Sequence, residues 1–319
     1  MKHIPWVTLS IHATDLRAGE ASVKAAFEEV RALNANGIRT DLCWSDIEPR
    51  MGRWDEERLR WYQGYFERAR QLNLAVVCVL YSLPNWIRVL SLVDPNRFLE
   101  RWQIYCQKVE EILGESAEVI QVWNEVNHPY YQWVPARIVP SLFKIARGTL
   151  GARRKLAVNV YDGLPWQTYL DRLLAQAGDC IDIIGIDSFP ETYKLNNARS
   201  WEPLEILLRR VNDPTDPWYG KKPALLETGF STYIPGLKTP ARQAEWIRSS
   251  FEAIRQLNDG FSNSIQILNW YKLFNDYGET PLNIIGHFGV LRMMKQAGRI
   301  SKKQPAYATL AEGFGRLRD

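Results

Sequence analysis

Eight short apolar runs, separated by longer amphipathic stretches, set the strongest limit on what this chain can fold into. The runs are Ile4–Ile11, Ile38–Trp44, Leu74–Tyr81, Val119–Asn124, Lys155–Val160, Ile181–Ile186, Ala224–Glu227 and Ser264–Trp270. Several are continuous rather than alternating, as in Ala75-Val76-Val77-Cys78-Val79-Leu80. That is the pattern of strands covered on both faces, as in a parallel sheet. Between the runs, apolar residues recur at helical spacing. Val23, Phe27, Val30 and Leu33 form one such face, and Leu59, Tyr62, Phe66 and Ala69 another. Phe98, Trp102, Tyr105, Val109 and Ile112 repeat the pattern, as do Ala244, Ile247, Phe251, Ile254 and Leu257. Less regular helical stretches at Arg137–Leu150, Gln167–Ala177, Pro203–Val211 and Ala306–Leu317 complete the alternation. Asp94-Pro95 and Thr239-Pro240 read as an N-cap followed by proline at the first helical position.

Strand and helix in strict alternation imply a parallel sheet. Eight repeats within 319 residues predict a single (β/α)8 TIM barrel, one catalytic domain spanning residues 1–319. An open dinucleotide-binding sheet would need a Gly-x-Gly-x-x-Gly turn after the first strand. The chain has His12-Ala13-Thr14-Asp15 there. The longest irregular stretch, Lys272 to Gln304, follows the eighth strand. A loop of that length inside a compact domain is usually functional.

Composition removes several classes of function. With 46% hydrophobic and 24% charged residues the chain can bury a sizeable core, which excludes disorder. The net charge is only +4, and the basic pairs Arg153-Arg154, Lys221-Lys222 and Lys302-Lys303 are scattered, so no nucleic-acid footprint is expected. The four cysteines form no Cys-x-x-Cys pair and the four histidines no His-x-His pair, so neither a metal nor another cofactor is expected. No run approaches the ~18 apolar residues of a membrane span. The segment after Met1 lacks the apolar core of a signal peptide, so the expected location is cytoplasmic. Oligomeric state is not legible. Thirteen tryptophans, 14 tyrosines and 11 phenylalanines leave two readings open: a bulky core, or a cleft lined with flat apolar faces.

In such a barrel, chemistry sits at the C-terminal ends of the strands. The first strand delivers His12. The second delivers Arg39, Asp41, Trp44, Asp46 and Glu48, and the third Tyr81 and Trp86. The fourth ends in Trp123-Asn124-Glu125, followed by Asn127, His128, Tyr130 and Tyr131. The fifth ends at Asn159 and Tyr161, the sixth at Asp187, Phe189 and Tyr193, and the eighth at Asn269, Trp270 and Tyr271. The seventh closes on Glu227-Thr228-Gly229. Glu125 and Glu227 stand out, because a carboxylate that ends a buried apolar run costs desolvation unless it is paired or used. Strands four and seven lie nearly opposite in an eight-strand ring. Two facing carboxylates, one holding a proton and one charged, are what glycoside hydrolysis requires. The alternative is that each glutamate simply pairs with a nearby arginine such as Arg39.

Trp123-Asn124-Glu125-Val126-Asn127-His128 resembles the Asn-Glu motif of the clan A (4/7 superfamily) retaining glycoside hydrolases, and Leu226-Glu227-Thr228-Gly229 resembles that clan's strand-seven motif. Trp44-Ser45-Asp46-Ile47-Glu48-Pro49 with Gly52-Arg53-Trp54-Asp55 is similar to its second-strand loop, and Leu83-Pro84-Asn85-Trp86 to its third. His287-Phe288-Gly289-Val290-Leu291 and Lys302-Lys303-Gln304-Pro305-Ala306-Tyr307 resemble its C-terminal signature. The resemblance runs the length of the chain, in order, without singling out one family. It implies Glu125 as acid/base and Glu227 as nucleophile, with Arg39 supporting the nucleophile and Asn124 on the sugar 2-hydroxyl. Trp44, Trp86 and Trp270 are either sugar platforms or core, and His128 either contacts hydroxyls or caps its loop. Many clan members carry a tyrosine near the end of strand six. Phe189 stands at that place here, so either Tyr193 reaches in instead or the nucleophile is held differently. The implied activity is hydrolysis of β-glycosides or α-L-arabinofuranosides in oligosaccharides, by double displacement through a glycosyl-enzyme. Transglycosylation on the same site and a non-catalytic carbohydrate-binding barrel are the alternatives.

Overall fold

A computed structural model describes residues 2–16, 20–129, 134–192, 200–276, 280, 283–293 and 300–319. Its first eight strands are β1 (Trp6–Ser10), β2 (Gly37–Cys43), β3 (Ala75–Tyr81), β4 (Val119–Val122), β5 (Lys155–Tyr161), β6 (Ile183–Asp187), β7 (Lys222–Thr228) and β8 (Ile267–Trp270). They are hydrogen-bonded in chain order into a closed barrel, so the alternation in the sequence does encode a (β/α)8 TIM barrel. The helices are α1 (Glu20–Ala32), α2 (Trp44–Ile47), α3 (Glu56–Gln71), α4 (Leu90–Val93), α5 (Pro95–Leu113), α6 (Val139–Leu150), α7 (Trp166–Ala177), α8 (Glu202–Asn212), α9 (Pro240–Gly260) and α10 (Ala306–Arg318). The one-turn helices α2 and α4 are too short for a 3.6-residue period to reveal them. Among the described residues no helix is long and apolar enough to cross a membrane.

The chain divides into two compact units, residues 1–39 with 186–214 and 222–319, and residues 40–185 with 215–221. In the first, β1 pairs in parallel with β8 and with the start of β2, and β7 pairs with β8. The β7 register against β8 slips between Leu225 and Thr228, the stretch that contains Glu227. Irregularities of this kind re-aim a side chain next to a site. Helices α9 and α10 pack through Phe251 and Phe314, whose rings stack 5.7 Å apart. Gly313 permits that approach, since a Cβ there would stand 2.6 Å from the Phe251 ring.

The stretch after β8, which the sequence presents as one long loop, carries an antiparallel ribbon, β9 (Leu291–Met293) with β10 (Ile300–Lys302). Lys303 organises it. The residue is 4% exposed, and its ammonium donates to the Gly289 carbonyl (2.6 Å), Thr232 Oγ1 (2.9 Å) and the His287 carbonyl (3.2 Å). A cation in this position has no periodicity by which a sequence could announce it.

In the second unit β3, β4 and β5 pair in parallel. Strand β4 is buried along its whole length. Helix α5 turns Phe98, Trp102, Tyr105, Val109 and Ile112 inward, the face its spacing predicts. The Trp102 indole N–H donates to the Leu142 carbonyl of α6 at 3.1 Å. Asp94 accepts from the Arg97 amide (3.1 Å) with Pro95 beside it, and Thr239 does the same for the Arg242 amide (3.3 Å) in the first unit, so both proposed caps form. None of the four cysteines is in a disulfide, and burial pushes the Cys78 and Cys106 thiols far above their ordinary range.

Candidate active site

Strand β4 stops at Val122 because the next residues leave extended backbone. Trp123 and Glu125 take φ values of 70° and 40°, in the left-handed region that a side chain disfavours. Such conformations persist only where their surroundings hold them, and they gather at functional sites. Here the surroundings are amides. Gln121 Nε2 donates to the Trp123 carbonyl (2.9 Å) and to Asn124 Oδ1 (3.1 Å). Asn159, in the middle of β5 and fully buried, accepts the Glu125 backbone N–H at 2.8 Å and donates to Asn124 Oδ1 at 3.3 Å. Asn127 pairs twice with the Tyr161 backbone, at 2.8 and 2.9 Å. Asn124 is 9% exposed and Glu125 8%.

His128 closes this turn. Its backbone N–H donates to the Glu125 carbonyl at 2.8 Å and its ring meets Tyr161 edge-on at 5.4 Å. Partial burial lowers its pKa. The Tyr161 hydroxyl titrates above its ordinary range, mainly through burial and further through the charges of Asp162 and Glu125. Of the loop aromatics that follow, Tyr130, Tyr131 and Trp133 lie outside the described residues, as does Tyr193.

At the end of β7, Glu227 Oε1 receives Arg39 Nη1 from β2 at 2.6 Å, with the two side chains 10% and 4% exposed. A carboxylate oxygen of Asp187, fully buried at the end of β6, lies within 4.8 Å of one of Glu227. Asn269 of β8 braces the strand below. It accepts from Thr8 Oγ1 (2.8 Å) and donates to Ser10 Oγ (2.7 Å) and to the carbonyl of Leu226 (2.9 Å), the residue before Glu227. Phe189 packs on Phe288 (5.2 Å) and Tyr271 (6.1 Å), and Tyr271 stands edge-on to His12 at 5.9 Å. Phe189 therefore brings a ring edge and no hydroxyl. The positive charge at this carboxylate comes from Arg39.

Two of the three proposed sugar platforms are core. Trp44 is 1% exposed, stacked on Tyr105 at 4.7 Å, and its indole N–H donates to Glu48 at 2.8 Å. Trp270 is fully buried between Trp246 (5.9 Å) and Phe251 (6.5 Å). Strand β8 turns Asn269 into the barrel, so Trp270 faces the helices, because successive side chains alternate. Trp86 alone of the three is half-buried, with its indole N–H on the Glu48 carbonyl at 2.9 Å.

Asn159, Asp187, Tyr271 and Glu48 carry contacts that the motif comparison did not assign to the site. For Asn159, Asp187 and Glu48 the signal is a polar residue in or just after a buried apolar run. Such a group must find partners inside.

No protein-family model matches the chain, and no curated protein matches it in sequence. Solved structures do share its architecture. A GH5_18 enzyme from Streptomyces cattleya, solved in complex with Manb1-4GlcNAc, superposes with a TM-score of 0.75 at 16% identity over 98% of this chain and 81% of that one. An exo-β-1,4-mannosidase from Opitutaceae bacterium strain TAV5 gives 0.74 at 17% identity, over 99% of this chain and 60% of that one. A GH1 β-glucosidase from Exiguobacterium antarcticum gives 0.71 at 11% identity, over 99% and 98%. At these identities the likeness is one of fold, and the chain is built on the (β/α)8 barrel that these glycoside hydrolases share.

Proposed function

We propose that the protein is a retaining glycoside hydrolase with Glu227 as nucleophile and Glu125 as acid/base. The observation that carries the reading is the end of β7. There a nearly buried glutamate, in the stretch where the β7 register against β8 slips, is matched by the Arg39 guanidinium at 2.6 Å. Glu125, at the end of β4, is held in a left-handed conformation by the Asn159 amide. In a closed ring of parallel strands, the C-terminal ends share one rim.

In the first step a Glu227 oxygen bonds to the anomeric carbon while the glycosidic C–O bond breaks. The leaving oxygen takes the proton of Glu125. In the second step water bonds to the same carbon, Glu125 takes a proton from it, and Glu227 departs as carboxylate. Arg39 would keep the nucleophile oriented and disperse its charge. Asn124 would meet the sugar 2-hydroxyl, a contact that strengthens as the ring gains positive charge. The substrates are β-glycosides or α-L-arabinofuranosides of oligosaccharides. The named neighbours make β-mannosides and β-glucosides the first to assay.

The test is a panel of aryl glycosides differing in sugar, anomer and ring form. It is followed by a 2-deoxy-2-fluoro derivative of whichever one is cleaved. The expected results are a product that first emerges with the substrate's own anomeric configuration and a stable mass adduct on the peptide bearing Glu227. An inverted first product, or an adduct on another residue, overturns the mechanism.

A further inference from the structure

Glu48 has no part in that mechanism, yet it is fully buried and both of its carboxylate oxygens accept hydrogen bonds. It follows α2, just beyond the end of β2. Its Oε2 accepts the Trp44 indole N–H at 2.8 Å. Its Oε1 accepts the Gly52 backbone N–H at 2.7 Å and a guanidinium N–H of Arg101, which reaches in from α5. Its own backbone carbonyl accepts the Trp86 indole N–H at 2.9 Å.

Two of these partners, Arg101 and Trp44, also meet Trp86. The Arg101 guanidinium lies over the Trp86 ring, 5.6 Å from its centroid. The Trp44 ring stands perpendicular to it at 6.1 Å. Thus the residue that binds the Trp86 N–H also holds the cation over its ring and the perpendicular Trp44 indole beside it. The loops after β2 and β3 and helix α5 are joined at a single carboxylate. Burying a carboxylate among three donors for packing alone is an expensive solution, since an apolar group of the same size usually serves as well.

We propose that Glu48 is a positioning residue that orients the Trp86 indole as a stacking surface for the sugar substrate. The proposal rests on the reading of the chain as a glycosidase. A glutamine at this position is isosteric, but its amide has one acceptor oxygen and an NH2 group. One of the three donors then faces a donor, and the cluster must rearrange.

Two measurements test it. The first is a cycle of Glu48→Gln, Trp86→Ala and the double variant, assayed on the substrate found above. Trp86→Ala is expected to raise KM about three- to tenfold, the worth of one aromatic contact, with kcat kept within about twofold. Glu48→Gln should raise KM in the same way, and in the double variant it should add nothing further. A KM unchanged by Glu48→Gln, or raised equally with and without Trp86, overturns the proposal.

The second is the 19F spectrum of protein labelled with 5-fluorotryptophan, with the Trp86 signal assigned by Trp86→Phe. Glu48→Gln should shift and broaden that signal; an unmoved signal overturns the proposal. Arg101→Gln, which loosens the same carboxylate from its more exposed side, gives both readouts if Glu48→Gln does not fold. The spectrum needs no substrate. If no glycoside is cleaved, the functional reading fails while the spectrum still decides the positioning role.

Discussion

Arg39 and Glu227 form an ion pair of 2.6 Å from β2 to β7, both side chains nearly excluded from water. Attraction at this distance is strong, but desolvation of both charges offsets much of it. What the pair secures is geometry. Removing one partner leaves the other charge buried and alone. Arg39→Met should therefore cost about 3–5 kcal/mol of stability in urea unfolding. It should also lower kcat by about 100-fold or more, comparable to the loss of a preorganised electrostatic donor. Arg39→Lys keeps the charge and loses the planar fork, so it should recover stability better than kcat. Equal recovery of both would show that only the charge matters.

The Asn159 side chain reaches the Glu125 backbone N–H at 2.8 Å and Asn124 at 3.3 Å, so one buried amide sets two residues of the strand-four turn. Asn159→Ala leaves a buried N–H without its acceptor, a cost of about 1–3 kcal/mol. Glu125 is then free to leave its left-handed conformation. The expected result is a fall in kcat on substrates with poor leaving groups. Aryl glycosides with very acidic phenols, which need little proton donation, should be spared. Glu125→Gln should show the same leaving-group dependence more strongly, with a loss of about 10²–10⁴-fold on poor leaving groups. A uniform loss across leaving groups in both variants would remove Glu125 from the acid/base role.

The barrel is legible in the sequence because buried strands and amphipathic helices each write their period into the chain. Two carboxylates at strand ends are legible for a similar reason: Glu125 and Glu227 interrupt apolar runs. The fine geometry is not. Trp44 and Trp270 fall at strand ends by number, yet a shift of one residue along a strand moves a side chain from rim to core. The slip in β7 and the left-handed turn at Trp123–Glu125 break the alternation where the chemistry would sit. The contacts of Asn159, Lys303 and Glu48 cross long stretches of chain and obey no period. Phe189 was legible as a departure from the strand-six tyrosine and Asp187 as a residue at that strand's end, but the approach of the Asp187 carboxylate to Glu227 was not.

Burial predicts opposite behaviour for two tryptophans. Trp270 is fully buried between Trp246 and Phe251, and Trp270→Ala should cost about 3–5 kcal/mol as an unfilled cavity. Trp86 is half-buried, so Trp86→Ala should cost less stability while raising KM. Denaturant midpoints and KM measured on both variants should rank them in reverse order. The same order in both measurements would mean that Trp86 is only packing.

His128 provides a pH test that needs no substrate. Its pKa in the folded protein lies below the ordinary 6.5, because burial disfavours the charged ring. Below 6.5 the unfolded chain therefore binds a proton that the folded chain resists. Stability rises with pH wherever the unfolded state holds more protons. The histidine thus takes stability away as pH falls from 6.5 through the folded pKa, and has no such effect above 6.5. His128→Gln removes the titration and keeps a polar side chain of similar reach. Urea midpoints of the parent between pH 5 and 8 should decline on the acid side more steeply than those of the variant, and the two curves should run parallel above pH 7. Parallel curves throughout would mean that the imidazole titrates alike in both states and that the edge contact with Tyr161 does not shield it.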